Sequence, residues 1–180
     1  MASLLGIVGC GTSNPVLPEP EPVEITFENV SVTELGRYIQ SINAAYPAIE
    51  KFYAEYGGIT GEAVGGFVTQ YWTRQYTLIM IARIHAISAK LYDLRPENPY
   101  LRQLQINEME GAFVDYLDGV TFFENNIDFL SVDVLNGVNQ RMGAGNVHLI
   151  RMQIFLSDLA GRDVVLGAQQ GPTDGQGTDF

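Results

Sequence analysis

A chain of 180 residues, 46% of them hydrophobic, is long enough to bury a single core. Charged residues make up only 17% and the formal net charge is −11, whereas a typical soluble domain is roughly 25% charged. Binding to a nucleic-acid backbone or an anionic membrane surface needs clustered Lys and Arg, so this acidic balance speaks against both as partners.

The charges are unevenly placed. No Lys or Arg precedes Arg37, although Glu19, Glu21, Glu24, Glu28 and Glu34 do, and none lies between Arg102 and Arg141. The single cysteine, Cys10, excludes a disulfide within the chain. The most apolar stretch, from Leu78 to Leu94, is broken by Arg83, His85, Lys90 and Asp93, so it predicts a packed or amphipathic helix and not a membrane span.

In chain order, residues 1–16 carry no charge. Residues 17–22, Leu-Pro-Glu-Pro-Glu-Pro, predict a stiff extended spacer, because each proline fixes its own φ and disfavours helix in the residue before it. Residues 1–22 are therefore expected to form an extended N-terminal arm. Residues 23–30 alternate apolar and polar, a short strand signal.

Ser31 and Glu34 have capping-box spacing and predict the start of a first helix. Leu35, Tyr38, Ile39, Ile42 and Tyr46 continue it at helical spacing. Pro47 is expected to kink or restart this helix and Gly57-Gly58 to end it. A second and longest helix is expected from about Gly61 to Leu94, ended by Arg95-Pro96.

Asn98-Pro99 opens a third helix, with Asn as N-cap and Pro at the first helical position, running to about Phe123. A short helix is expected over 127–138, a break at Gly143-Ala-Gly145, and a last helix capped by Asn146 and stopped by Gly161. Residues 162–166 suggest a brief strand that could pair with 23–30. From residue 167 onward the Gly, Gln, Thr and Asp composition cannot bury a core. The expected architecture is mainly α: a bundle of four to five helices over residues 23–166, with one short β-patch and extended arms at 1–22 and 167–180.

Candidate chemistry is sparse. Gly6, Gly9 and Gly11 after an apolar run are similar to the glycine turn of dinucleotide-binding domains, but a proline-rich spacer follows where that turn needs a helix N-terminus. The acidic stretch from Glu108 to Asp133 could serve a helical enzyme or metal protein, with Glu108, Asp115 and Asp118 on one face. It holds no Glu-x-x-His pair, and His85 and His148 suit structural roles. No catalytic, cofactor or metal site is assigned.

Ile7-Val8-Gly9-Cys10 resembles the lipobox of bacterial lipoproteins. That resemblance implies acylation of Cys10, membrane attachment through it, and a periplasmic binding or scaffolding module as one alternative. The leading expectation is different. Trp72, Tyr71, Tyr76, Phe67 and Tyr53, part of an aromatic cluster in the first two helices of a charge-poor chain, are the candidate interface residues. With the arms, they suggest a non-enzymatic subunit that contacts copies of itself and neighbouring structural proteins. A small head–tail or ejection protein of a phage virion has this body plan.

Overall fold

The computed structural model describes residues 30–167. The arm at 1–22, Cys10, nearly all of the expected strand at 23–30, and the tail beyond 167 lie outside the described residues.

The described chain is a bundle of helices with no strand among the described residues. Helix α1 spans Val32–Val64 and α2 spans Gln70–Tyr92. A third rod is continuous but changes pitch: α3 (Pro99–Leu104) passes into a π-helical segment (Gln105–Glu110) and then into α4 (Gly111–Asn125). A single 3₁₀ turn, Ile127–Phe129, leads to α5, Val132–Ala160.

Several boundaries differ from the sequence expectation, and at the breakers inside helices burial outweighs local propensity. Helix α1 runs through Pro47 and Gly57-Gly58 to Val64. A glycine costs a helix about 1 kcal/mol and an interior proline about 3 kcal/mol. Burial of Ile42, Ile49, Phe52, Tyr56 and Ala63 along one face offsets those costs, at about 1.5–3 kcal/mol for each large apolar side chain.

The true break comes at Gly65-Gly66. Gly66 takes φ +74°, Phe67 N donates to Glu62 O at 2.9 Å and Gly66 N to Ala63 O at 3.1 Å. This is a Schellman closure, which needs a residue that tolerates the left-handed region. Helix α2 therefore starts at Gln70, not near Gly61, with the Thr69 hydroxyl accepting from Trp72 N. It ends at Tyr92, just before Arg95-Pro96.

Helix α5 likewise runs unbroken through Gly143 and Gly145, and Asn146 lies inside it instead of capping it. Its N-cap is Ser131, whose hydroxyl accepts from Val134 N. The expected short helix at 127–138 is thus a 3₁₀ turn followed by the opening of α5. Gly161 closes α5 at φ +61°, as its position predicted. Asn98 likewise caps α3, its Oδ1 accepting from Tyr100 N and Leu101 N. Ser31 caps α1 by accepting from Glu34 N. The Glu34 carboxylate does not complete a capping box; it accepts from Asn98 N at 2.7 Å, tying the start of α1 to the start of α3.

Helices α4 and α5 pack antiparallel, and the glycines explain why they approach so closely. A Cβ on Gly145 would lie 2.5 Å from the Tyr116 ring and 2.9 Å from Ala112 O. Cβ atoms on Gly119 and Gly137 would lie 2.9 Å from Met142 Sδ and 2.7 Å from the Phe122 ring. Helix α1 lies across this pair. Phe52 stacks on Tyr56 with ring centroids 5.9 Å apart, and Tyr56 meets the edge of Phe123 at 6.0 Å. The Tyr56 hydroxyl donates to Gly119 O.

The segment 162–166 is irregular, not a strand. It folds back onto the body, with Val164 and Leu166 buried. Val164 N donates to Ser157 Oγ, Leu166 N to Gln153 Oε1 and Gly167 N to Asn43 Oδ1.

Candidate functional site

The most unusual surface belongs to α2. Its inward face begins with Thr73 and Thr77, both buried, before Met80, Ile84, Ile87 and Leu91 take over. The two threonines satisfy their hydroxyls within the helix: Thr73 Oγ1 donates to Thr69 O at 3.0 Å and Thr77 Oγ1 to Thr73 O at 2.8 Å. A hydroxyl bonded to the carbonyl four residues back is tolerated in a core. The larger apolar side chains of these turns point the other way.

Phe67 is 82% exposed and Trp72 56%, with Tyr71 and Tyr76 also exposed. Tyr71 and Trp72 meet edge to face at 5.6 Å, and Trp72 and Tyr76 at 6.4 Å. The i, i+4 spacing on a helix accounts for the contact between Trp72 and Tyr76. Phe67 sits just before it, its ring covering Gly65, where a Cβ would lie 2.6 Å from Cε2.

The ladder borders a cleft between α1 and α2 of about 440 Å³, whose walls include Ile59, Val68, Tyr76, Ile79 and Met80. Two ion pairs neutralise arginines on the α2 surface. Arg83 pairs with Glu55 across the cleft and Arg74 with Asp128 at 3.3 Å. The outer face of α2 is thus aromatic, apolar and nearly charge-balanced, within a chain whose net charge is −11. Exposed apolar surface of this kind, rimmed by polar groups, is characteristic of contact sites.

Of the five candidate interface residues, Phe67, Tyr71, Trp72 and Tyr76 lie in or beside this face. Tyr53 does not join them. It lies against Tyr116, ring centroids 6.2 Å apart, in a separate recess with Tyr46, Glu50 and Asn146. The sequence reading missed the groove itself and its neutralising ion pairs, because Glu55 and Arg83, or Arg74 and Asp128, meet only after folding.

The acidic stretch divides. His148 Nδ1 lies 2.8 Å from Glu108 Oε2, and its Nε2 lies 3.7 Å from Asp115 Oδ2. Asp118 pairs with Arg141 instead, at 2.8 Å. The imidazole therefore bridges the π-helical segment, α4 and α5, a link between residues 40 positions apart that no local pattern signals. His85 is exposed on α2. Among the described residues, no group of three or more His, Cys, Asp or Glu side chains is placed to hold a metal ion. No helix among them is long and apolar enough to cross a membrane.

Comparison with protein-family models, curated proteins and solved structures finds no match to this chain.

Proposed function

We propose that this chain is a non-enzymatic structural subunit that assembles with copies of itself through the outer face of α2. One observation carries this: α2 turns threonines toward the core and Tyr71, Trp72 and Tyr76 toward solvent. Exposing large aromatics has a solubility cost that contact with another surface removes, and aromatic residues dominate interface energetics.

The partner follows from charge. Two bodies of net charge −11 repel, and a charge-balanced touching face keeps that repulsion small at contact. Here Arg74 and Arg83 are matched by Asp128 and Glu55. A neutral aromatic face can meet its own symmetry mate in an isologous contact, the commonest form of homo-oligomer interface. The finer proposal is a virion component, a head–tail or ejection protein. It rests on body plan: an acidic helical domain between two segments of low core-forming capacity.

Multi-angle light scattering of the 19.8 kDa chain tests this. An oligomer is expected at micromolar concentration. The double variant Trp72→Ser, Tyr76→Ser should become monomeric while keeping its helical circular dichroism. A wild-type monomer at about 100 µM, or an oligomer indifferent to the double change, would overturn the proposal.

A further inference from the structure

A second surface, away from the aromatic ladder, gathers cationic groups. In a chain with only ten Lys and Arg residues, Arg95 and Arg102 line one cleft of about 380 Å³ where α2 turns into α3. Tyr92, Gln105, Ile106 and Glu110 complete its walls. Neither arginine has a carboxylate partner among the described residues, a condition they share with Arg37, Arg151 and Arg162; what sets them apart is that both line one cleft.

Both guanidinium groups are nevertheless held in place. Arg95 Cζ lies 3.6 Å from the centroid of the Tyr92 ring, a cation–π contact that occupies the face of the guanidinium and leaves its edge donors free. Arg102 Nε donates to Pro96 O at 3.2 Å, which orients the group and, among the described residues, leaves both Nη atoms available. An arginine fixed by one contact and open at its Nη edge is well prepared to take a planar two-oxygen anion.

The π-helical segment shapes the opposite wall. In an α-helix, residues five apart point about 140° away from each other. The i→i+5 bonding of a π-helix stacks them instead. The segment Gln105–Glu110 thereby brings Gln105 and Glu110 to the same cleft. Gln105 is buried, and its Nε2 is anchored on Leu91 O at 2.6 Å. Single π-helical turns are frequent at functional sites because they re-aim side chains in this way.

From this arrangement we infer that the Arg95–Arg102 cleft binds a small organic monocarboxylate with an apolar body. The two arginines supply donors for the carboxylate, Tyr92 backs the Arg95 guanidinium, and Ile106 supplies an apolar wall. Glu110 places a negative charge inside the same cleft, which disfavours a dianion such as phosphate. The site lies at the C-terminal end of α2, at the opposite end of that helix from the aromatic ladder, and does not rest on self-association.

Titration of the ¹⁵N-labelled full chain with benzoate, followed by NMR, is the test. Shifts are expected at the Arg95 and Arg102 side chains and the Gln105 side-chain amide. Arg102→Ala and Arg95→Ala should each weaken binding at least tenfold. Arg95→Lys and Arg102→Lys, which keep the charge but lose the planar fork, should weaken it less, and they serve if an alanine variant fails to fold. Inorganic phosphate should bind at least fivefold more weakly than benzoate. A synthetic peptide of residues 17–22, whose glutamates offer the same carboxylate chemistry, separates a free ligand from a protein segment and should bind no better than benzoate. Shifts scattered over all surface arginines, unchanged affinity in the Arg102 and Arg95 variants, phosphate binding as tight as benzoate, or tighter binding of the peptide would each overturn the inference.

Discussion

Gly145 lies directly beneath the ring of Tyr116, so close that a Cβ there would stand 2.5 Å from Cε1 and 2.9 Å from the backbone oxygen of Ala112. The Tyr116 hydroxyl in turn donates to Asn146 Oδ1, the next residue of α5, at 2.5 Å. Ring and hydroxyl together key the phenol of α4 into the surface of α5, and the missing Cβ makes room for it.

Substituting this glycine should therefore be costly. Gly145→Ala gains about 1 kcal/mol of helix propensity but must displace a fully buried ring and a backbone carbonyl, a clash of the overpacking kind that costs about 1–3 kcal/mol. A net loss in urea-unfolding stability is expected. Gly143, two residues away in the same helix, faces open space, with no atom within 4 Å of where a Cβ would stand. Gly143→Ala should therefore raise stability by about 0.5–1 kcal/mol. Equal effects of the two changes would refute the close packing of α4 on α5.

The buried tyrosines set the alkaline limit of stability. Burial raises the phenols of Tyr38, Tyr56 and Tyr116 well above the ordinary tyrosine range, with the charge of Glu110 adding to the effect at Tyr38. Unfolding lets these groups ionise near pH 10, so above that pH the unfolded chain binds fewer protons than the folded one. Stability is then fully present below about pH 10 and falls as pH rises, by up to about 1.4 kcal/mol per pH unit for each tyrosine. Phenolate absorbance should accordingly rise in two stages, the exposed tyrosines first and the buried ones together with loss of helicity. A single smooth titration with the fold intact would contradict the burial of these hydroxyls.

Glu108 and His148 should be coupled in a double-mutant cycle. Their side chains meet at 2.8 Å in a partly buried position that joins the π-helical segment to α5. Comparing Glu108→Gln, His148→Ala and the combined variant should give a coupling free energy of about 0.5–1.5 kcal/mol. A value indistinguishable from zero would mean that the bridge contributes nothing to holding the rods together.

The mainly α architecture was legible wherever a local chemical group decides it. Asn98-Pro99 opens a helix because an amide side chain and a missing N–H answer the unpaired donors of a first turn, wherever the rest of the chain lies. Gly161 ends one because only a residue without Cβ enters the left-handed region easily. The errors concern Pro47, Gly57-Gly58 and Gly143-Ala-Gly145, where breakers sit inside helices. There the deciding quantity is the apolar area buried on the helix face, joined at Gly145 alone by a neighbouring ring that leaves no room for a Cβ, and neither exists before the rods pack.

The same division governs function. Sequence alone determined the acid excess, the helix-forming segments and the concentration of aromatics between Tyr38 and Tyr76, because these are properties of single residues and their near neighbours. Only the tertiary structure decided which aromatics face outward. Helix α2 is apolar on more than one side, so its periodicity cannot choose a core face. Packing against α1 and α4 made the choice, burying Thr73 and Thr77 and leaving Trp72 and Tyr76 in solvent.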